Sequence, residues 1–292
     1  MAGTDSSSVP DSRLWRFLRF PVTRIVIATA AIALVIGVIQ FLGLRAHIKP
    51  NSGLGAVIGV LIIVAVLATY IGYVRLIERR EVTELSTRKA GVELGAGVIV
   101  GVVLFALTML VLWLAGCVRV AAGDGWRALA FPLLIALIAG VCEEVLARGV
   151  VFRIVEESLG TWIALAVSAA LFGALHVFNP GATLVSSIAI ALEAGVLLAA
   201  VFVYTRRLWM AIGLHAGWNF TEGGIFGADV SGIKLPGVLS SEFHGADLLT
   251  GGAFGPEASI VAVLVCLAVA AVLLVSAKRN GRIRDPYWRR RA

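Results

Sequence analysis

The chain has 292 residues, 59% of them hydrophobic and only 15% charged, and a mean hydropathy of +0.95. That composition excludes an ordinary soluble domain, and apolar runs of about 18 to 25 residues, each able to cross a bilayer as a helix, recur along nearly its whole length. The net charge of +7 does not indicate nucleic acid, because the basic residues flank the apolar runs and serve topology.

Residues 1–12 are polar, and Arg13, Arg16, Arg19 and Arg24 then lead into an apolar run over 25–44, too long for the core of a signal peptide and read as a span. Further spans are expected at 54–76, 93–116, 129–152, 162–177, 183–204, 208–226 and 257–277. The predicted fold is therefore all-α: a polytopic membrane protein of about eight transmembrane helices with its active site inside the bundle. Residues 1–24 form a basic tail, 25–277 the membrane domain with a motif-bearing core at 129–225, and 278–292 a second basic tail.

Eight crossings place both termini on one side. In the cytoplasm that side collects Arg75, Arg79, Arg80, Arg88, Lys89, Arg153, Arg206, Arg207 and both tails, leaving Arg45, Lys49, Arg119, Arg127 and Lys234 outside. The reading is a multi-pass protein of a bacterial cell membrane with cytoplasmic termini. Segment 78–92 reads as a charged cytoplasmic linker or interfacial helix with no chemistry required of it, and the Gly- and Ser-rich 227–256 as an ordinary outer connection, with a partial lid as the alternative. Cys117, Cys142 and Cys266 have no metal or disulfide spacing and are expected to be packing residues.

Three apolar segments carry ionisable or amide groups, which cost several kcal/mol in a span and are kept mainly when paired or functional. The fourth span contains Glu143, Glu144 and Arg148. Glu144 and Arg148, four residues apart, share a helix face and can pair, whereas Glu143 is turned about 100° away and is left as a free base. The fifth span contributes Phe172 and His176, with Gly173 allowing close helix approach, and the seventh contributes His215 and Asn219.

Measured from the assigned cytoplasmic helix ends, Glu143 lies roughly 13 Å deep, His215 roughly 10 Å and His176 roughly 20 Å. A carboxylate and two imidazoles that converge at such depths can deprotonate a water, directly or through a metal, and Asn219 can donate to an oxyanion. Glu193 is mid-span, either lining the chamber or binding a cation, or in an interhelical pair. Glu222, seven residues after His215 on the same face, is either the partner of that imidazole or a residue at the membrane edge.

The order E-E-x-x-x-R (Glu143, Glu144, Arg148), F-x-x-x-H (Phe172, His176) and H-x-x-x-N (His215, Asn219) resembles the three signature motifs of the CPBP family, the CaaX prenyl-protease and bacteriocin-processing proteins, also called Abi. The resemblance covers roughly residues 129–225 and implies an intramembrane endopeptidase, a hydrolase acting on a membrane-associated, prenylated or leader-bearing peptide. It implies that Glu143 and His176 handle the water, His215 and Asn219 the oxyanion, and Glu144 with Arg148 the geometry, with Phe172 beside the substrate.

Two versions of the chemistry stay open. Zn2+ held by His176, His215 and Glu143 would leave Glu144 as base, and a metal-free glutamate mechanism needs only Glu143. The expected partners are the bilayer and a membrane-associated peptide, with no nucleic acid. The alternatives are a transporter, or a non-catalytic scaffold, that uses the same polar pocket.

Overall fold

The computed structural model describes residues 17–290, so part of the N-terminal tail, including Arg13 and Arg16, and the last two residues, including Arg291, lie outside it. The helices follow the apolar runs: α1 (Pro21–Arg45), α2 (Gly53–Tyr73, continued by a π turn to Glu78), α3 (Ala90–Leu114) and α4 (Ala130–Glu144). A π-helical stretch, Val145–Phe152, carries α4 into α5 (Arg153–Leu159). Then come α6 (Thr161–Leu175), α7 (Leu184–Ile190), α8 (Val196–Thr205), α9 (Trp209–Asn219) and, after a long polar segment, α11 (Ile260–Arg279); that segment holds the single-turn α10 (Asp247–Thr250).

Six helical stretches among the described residues are long and apolar enough to cross a membrane. One of them, Ala130–Phe178, reverses at Gly160 (φ +80°), a backbone conformation that glycine adopts without a Cβ penalty, so it contains the expected fourth and fifth spans as a hairpin. The expected seventh span is shorter: α9 and the π turn Phe220–Ile225 that continues it. The result is an all-α, multi-pass membrane protein. Its first helix is the least covered by protein, with 11% of its apolar window buried, as suits a lipid-facing element.

Hydroxyl side chains start several helices by accepting orphan backbone N–H groups. Ser52 does so for α2, Ser259 for α11, and Thr183 with Ser186 forms a reciprocal capping box on α7. The tightest helix pair is α3 with α9. Gly97 and Gly101 face Gly213 and Gly217, so each helix contributes a G-x-x-x-G, and a Cβ at any of the four would overlap the facing backbone. His215 sits between the two glycines of α9, so this contact sets its position.

The linker after α2 is more than a solvated connection. Glu84 is buried, accepts from the Tyr70 hydroxyl and from Arg80 (2.6 Å), and its backbone carbonyl accepts from Leu208 N–H at the start of α9. Nearby, Arg153 bonds Glu78 (2.8 Å) and Glu157 (2.7 Å), while Arg24 bonds the same two carboxylates, which ties α1, α2 and α5 together. Burial alone would raise the Glu84 carboxyl. The hydrogen bonds from Arg80 and Tyr70 and the charge of Arg80 outweigh it and hold that carboxyl below its usual range.

At the opposite end, Val118–Ala122 (β1) and Leu239–Phe243 (β2) pair antiparallel, with Arg119 facing Glu242. Residues 227–256, expected as an ordinary connection or partial lid, thus contribute a strand. Its partner strand lies far away in sequence, directly after a long apolar helix, so neither strand had a local hairpin signal.

Candidate active site

Glu143 and Glu144 end α4, and the helix then widens into the π stretch. Two more π turns, Ala191–Gly195 and Phe220–Ile225, flank the same region, one holding Glu193 and the other directly following Asn219. A π turn inserts a residue and re-aims the side chains that follow it, a device concentrated at functional sites.

The two adjacent glutamates have opposite environments. Glu144 is fully buried and accepts from Arg148 Nη1 at 2.7 Å and from His215 Nδ1 at 3.1 Å. Arg148, also fully buried, donates from Nη2 to the carbonyls of Ala194 and Gly195 at 3.0 Å each, and its guanidinium lies 4.7 Å from the Phe172 ring centroid. Glu143 has 36% of its side chain exposed to the cavity, and its Oε2 makes no hydrogen bond to protein. That oxygen stands 3.8 Å from His176 Nε2 and 3.9 Å from His215 Nε2.

The tautomers follow from the partners. His176 Nδ1 is 2.7 Å from the Phe172 carbonyl, which only accepts, so Nδ1 carries a proton and Nε2 is the nitrogen turned toward Glu143. His215 Nδ1 donates to Glu144, which directs its Nε2 to the same point. Phe172 is buried and packs at 4.7 Å from the His176 ring and 6.1 Å from the His215 ring. It supports both imidazoles while still lining the chamber.

The depths reconcile once the true helix ends are known. The fourth span runs on to Leu159 rather than stopping at 152, which puts Glu143 about 24 Å and His176 about 23 Å from the Gly160 turn. Helix α9 starts inside the bundle, where Leu208 bonds Glu84 and Tyr70 meets Gly149, so Trp209 and Gly149 lie at one level. His215 and Glu143 are each six residues beyond it, in the direction of the β1–β2 end.

The chamber is a cavity of about 90 Å³ walled by Glu143, His176, His215 and Asn219 together with Glu193 and Glu257. A lateral cleft of about 340 Å³ between α1 and α6, lined by Thr29, Leu146, Ser168 and Leu171, reaches Glu143, Phe172 and His176 from the lipid side. Three lining residues escaped the sequence reading: Asn179, Ser231 and Glu257. Ser231 donates to Glu257 at 2.5 Å, and Asn179 donates to the Ser231 carbonyl at 3.2 Å. Glu257 precedes α11 in a 3-10 turn rather than starting a span at 257, and burial pushes its carboxyl up. Asn179 and Ser231 lie in expected connections and Glu257 at the first position of the expected last span, so none stood out as an ionisable or amide group inside a span.

Glu222 is buried, but it does not hold His215, whose Nδ1 is taken by Glu144. The widened turn after Asn219 moves Glu222 off the His215 face and toward the Gly255–Glu257 segment. Glu193 is buried at the chamber wall and accepts from Cys266 Sγ at 3.3 Å; all three cysteines are buried and free.

The donor set His176, His215 and Glu143 does not assemble as a zinc centre. Ligand atoms at about 2.0 to 2.1 Å from a tetrahedral ion sit about 3.3 Å apart. The Glu143 oxygen is farther than that from both imidazoles, and among the described residues no group of three or more His, Cys, Asp or Glu is arranged to hold a metal. The separations suit one bridging water instead.

The structure thus gathers a carboxylate, two imidazoles and an amide around one cavity inside the helical bundle. Residues 125–221 match the family model described as type II CAAX prenyl endopeptidase, Rce1-like. The match spans about a third of the chain and contains all three motifs, so over that segment the chain is similar to this family of membrane endopeptidases. Neither the curated proteins nor the solved structures compared with the chain gave a match.

Proposed function

We propose that the chain is an endopeptidase of the CaaX prenyl-protease type, cleaving a peptide bond of a membrane-associated substrate with a water activated by Glu143 and His176. The observation that carries this reading is the unpartnered Glu143 oxygen held between two imidazoles whose Nδ1 atoms are both committed elsewhere. A water there loses a proton to Glu143 while His176 Nε2 accepts its other hydrogen. The resulting hydroxide adds to the scissile carbonyl.

The oxyanion that forms accepts from His215 Nε2, in its protonated form beside Glu144, and from the Asn219 amide. Glu143 then passes its proton to the leaving amine as the C–N bond breaks. Glu144 and Arg148 position His215 and touch no substrate. The lateral cleft admits a chain from the bilayer, which suits a lipidated or membrane-anchored peptide, and the arginine-rich end with both termini belongs in the cytoplasm.

The test is cleavage by purified protein in detergent of prenylated CaaX peptides and of leader peptides, comparing wild type with Glu143→Ala and His176→Ala. Loss in both variants is expected. Unchanged cleavage in both rejects this site.

A further inference from the structure

A second polar cleft lies apart from the chamber. It has a volume of about 450 Å³ and opens between the linker after α2, helix α5, the end of α8 and the first residues beyond α11. Five arginines line it: Arg80, Arg153, Arg206, Arg282 and Arg284. They face three carboxylates, and each of those already has its own arginine. Glu84 accepts from Arg80 at 2.6 Å, Glu156 from Arg206 at 2.5 Å and Glu157 from Arg153 at 2.7 Å. Two positive charges are left over, those of Arg282 and Arg284, and the adjoining Arg24–Glu78 pair does not change that excess.

Both of these arginines sit on the stretch of tail that borders the cleft. The Arg282 side chain makes no hydrogen bond or ion pair among the described residues, and its guanidinium lies 5.3 Å from the Tyr204 ring centroid. Arg284 reaches Glu156 only at 3.8 Å, and more than half of its side chain is exposed. The backbone around them is nonetheless held in place. Thr161 N–H donates to the Arg284 carbonyl at 3.0 Å, Arg284 N–H donates to Thr161 Oγ1 at 2.8 Å, and the Arg206 guanidinium donates to the Arg282 carbonyl. The tail is thus bonded to the first residue of α6, and two guanidiniums with donors to spare are fixed beside the cleft. The acidic residue of this tail, Asp285, does not line it. A topology signal needs basic residues near a span end; it does not need them to converge on one cleft with two left uncompensated.

The cleft also stands at a membrane edge. Gly281–Arg284 follows α11 directly, the Gly160 turn ends two further spans, and Trp162, Tyr287 and Trp288 nearby are exposed, the aromatic pattern of a bilayer interface. Guanidinium forks match phosphate oxygens in geometry as well as charge. We infer that this cleft binds the phosphate of an anionic phospholipid headgroup, with Arg282 and Arg284 as its principal ligands. The headgroup supplies the negative charge that the cleft lacks and bridges the tail to the α5–α6 turn. That turn is about 24 Å along the helix from Glu143, so the site is separate from the chamber and does not depend on the endopeptidase reading.

The test offers the full-length protein, in a neutral detergent, an equimolar mixture of phosphatidylglycerol and phosphatidylcholine and counts the retained lipids by native mass spectrometry. Phosphatidylglycerol is expected to be retained in preference. Arg282→Gln with Arg284→Gln is expected to lower that preference by about 30-fold, roughly fivefold for each basic residue at an anionic surface. Arg45→Gln with Lys49→Gln removes the same charge from the opposite end of the bundle and is expected to leave the preference intact. Equal retention of the two lipids by the wild type overturns the inference, and so does a preference unchanged in the first double variant or lost equally in the second. Thermal unfolding of the same samples gives a second readout: phosphatidylglycerol raises the midpoint of the wild type and not that of the Arg282, Arg284 variant. Arg284→Gln alone, at an exposed side chain, keeps the test decisive if the double variant does not fold; an undiminished preference there overturns the assignment. Displacement of the lipid by an equal concentration of inorganic phosphate would make the ligand a soluble phosphate and reject the lipid.

Discussion

Replacing Glu144 with Gln removes one charge from a pair that has no exposed surface. Arg148 keeps its bonds to the Ala194 and Gly195 carbonyls and its place over Phe172, but loses the carboxylate 2.7 Å away while having no exposed surface. Breaking a buried pair by removing one partner costs about 3 to 5 kcal/mol, because the remaining charge stays buried and uncompensated. Glu143→Gln is the same chemistry one residue earlier, on a side chain 36% exposed and 3.8 Å or more from either imidazole. Its stability effect is expected within about 0.5 kcal/mol. Cleavage falls in both, by about 10² to 10⁴ in rate for the general base, and in Glu144→Gln because His215 loses the group that orients it. Unfolding in mixed micelles followed by tryptophan fluorescence measures the first quantity and peptide cleavage the second. Equal stability losses in the two variants would refute the division of roles, as would cleavage retained in Glu143→Gln. The double variant Glu144→Leu with Arg148→Met tests the charge argument: it recovers much of the lost stability, since no buried ion remains, and no activity.

Gly217→Ala puts a methyl group into the Val98 backbone across the α3–α9 contact, so a loss of about 1 to 3 kcal/mol and a fall in cleavage through displaced His215 are expected, read by the same two assays. Acid sensitivity has a defined source outside the membrane-spanning helices. The Glu84 carboxyl is held below its ordinary value near 4.5, so its contribution to stability is fully present above that value and is lost as pH falls through the lowered folded-state value. Glu84→Gln should therefore flatten the acid limb of the stability profile, and an unchanged limb would dismiss this source. Chelation is expected to leave cleavage intact, because the three candidate ligands stand too far apart to close on an ion; loss of activity that returns on adding Zn2+ would reverse that conclusion.

What could be read without coordinates was what local spacing controls. The apolar runs located the helices because bilayer thickness sets their length. The i, i+4 spacing of Glu144 and Arg148 predicted their ion pair, and the 3.6-residue period predicted that Glu143 would lack one. The G-x-x-x-G pairs at 97–101 and 213–217 were also present in the chain, yet nothing local says that these two segments face each other. Helix ends proved less legible: the fourth span runs seven residues past its expected limit, because Arg153 and Glu156 are neutralised by partners rather than exposed at a membrane edge.

The tertiary structure decided every relation between distant segments. It gave His215 to Glu144 instead of Glu222, paired β1 with β2, and built one wall of the chamber from Ser231, in the outer connection, and Glu257, at the expected start of the last span. The sequence by itself determined the helices, the membrane and the identity of the reactive groups, since each depends on residues within a few turns of one another. Which carboxylate each imidazole meets, and which connections wall the chamber, depend on packing between segments whose complementarity exists only once the helices are assembled.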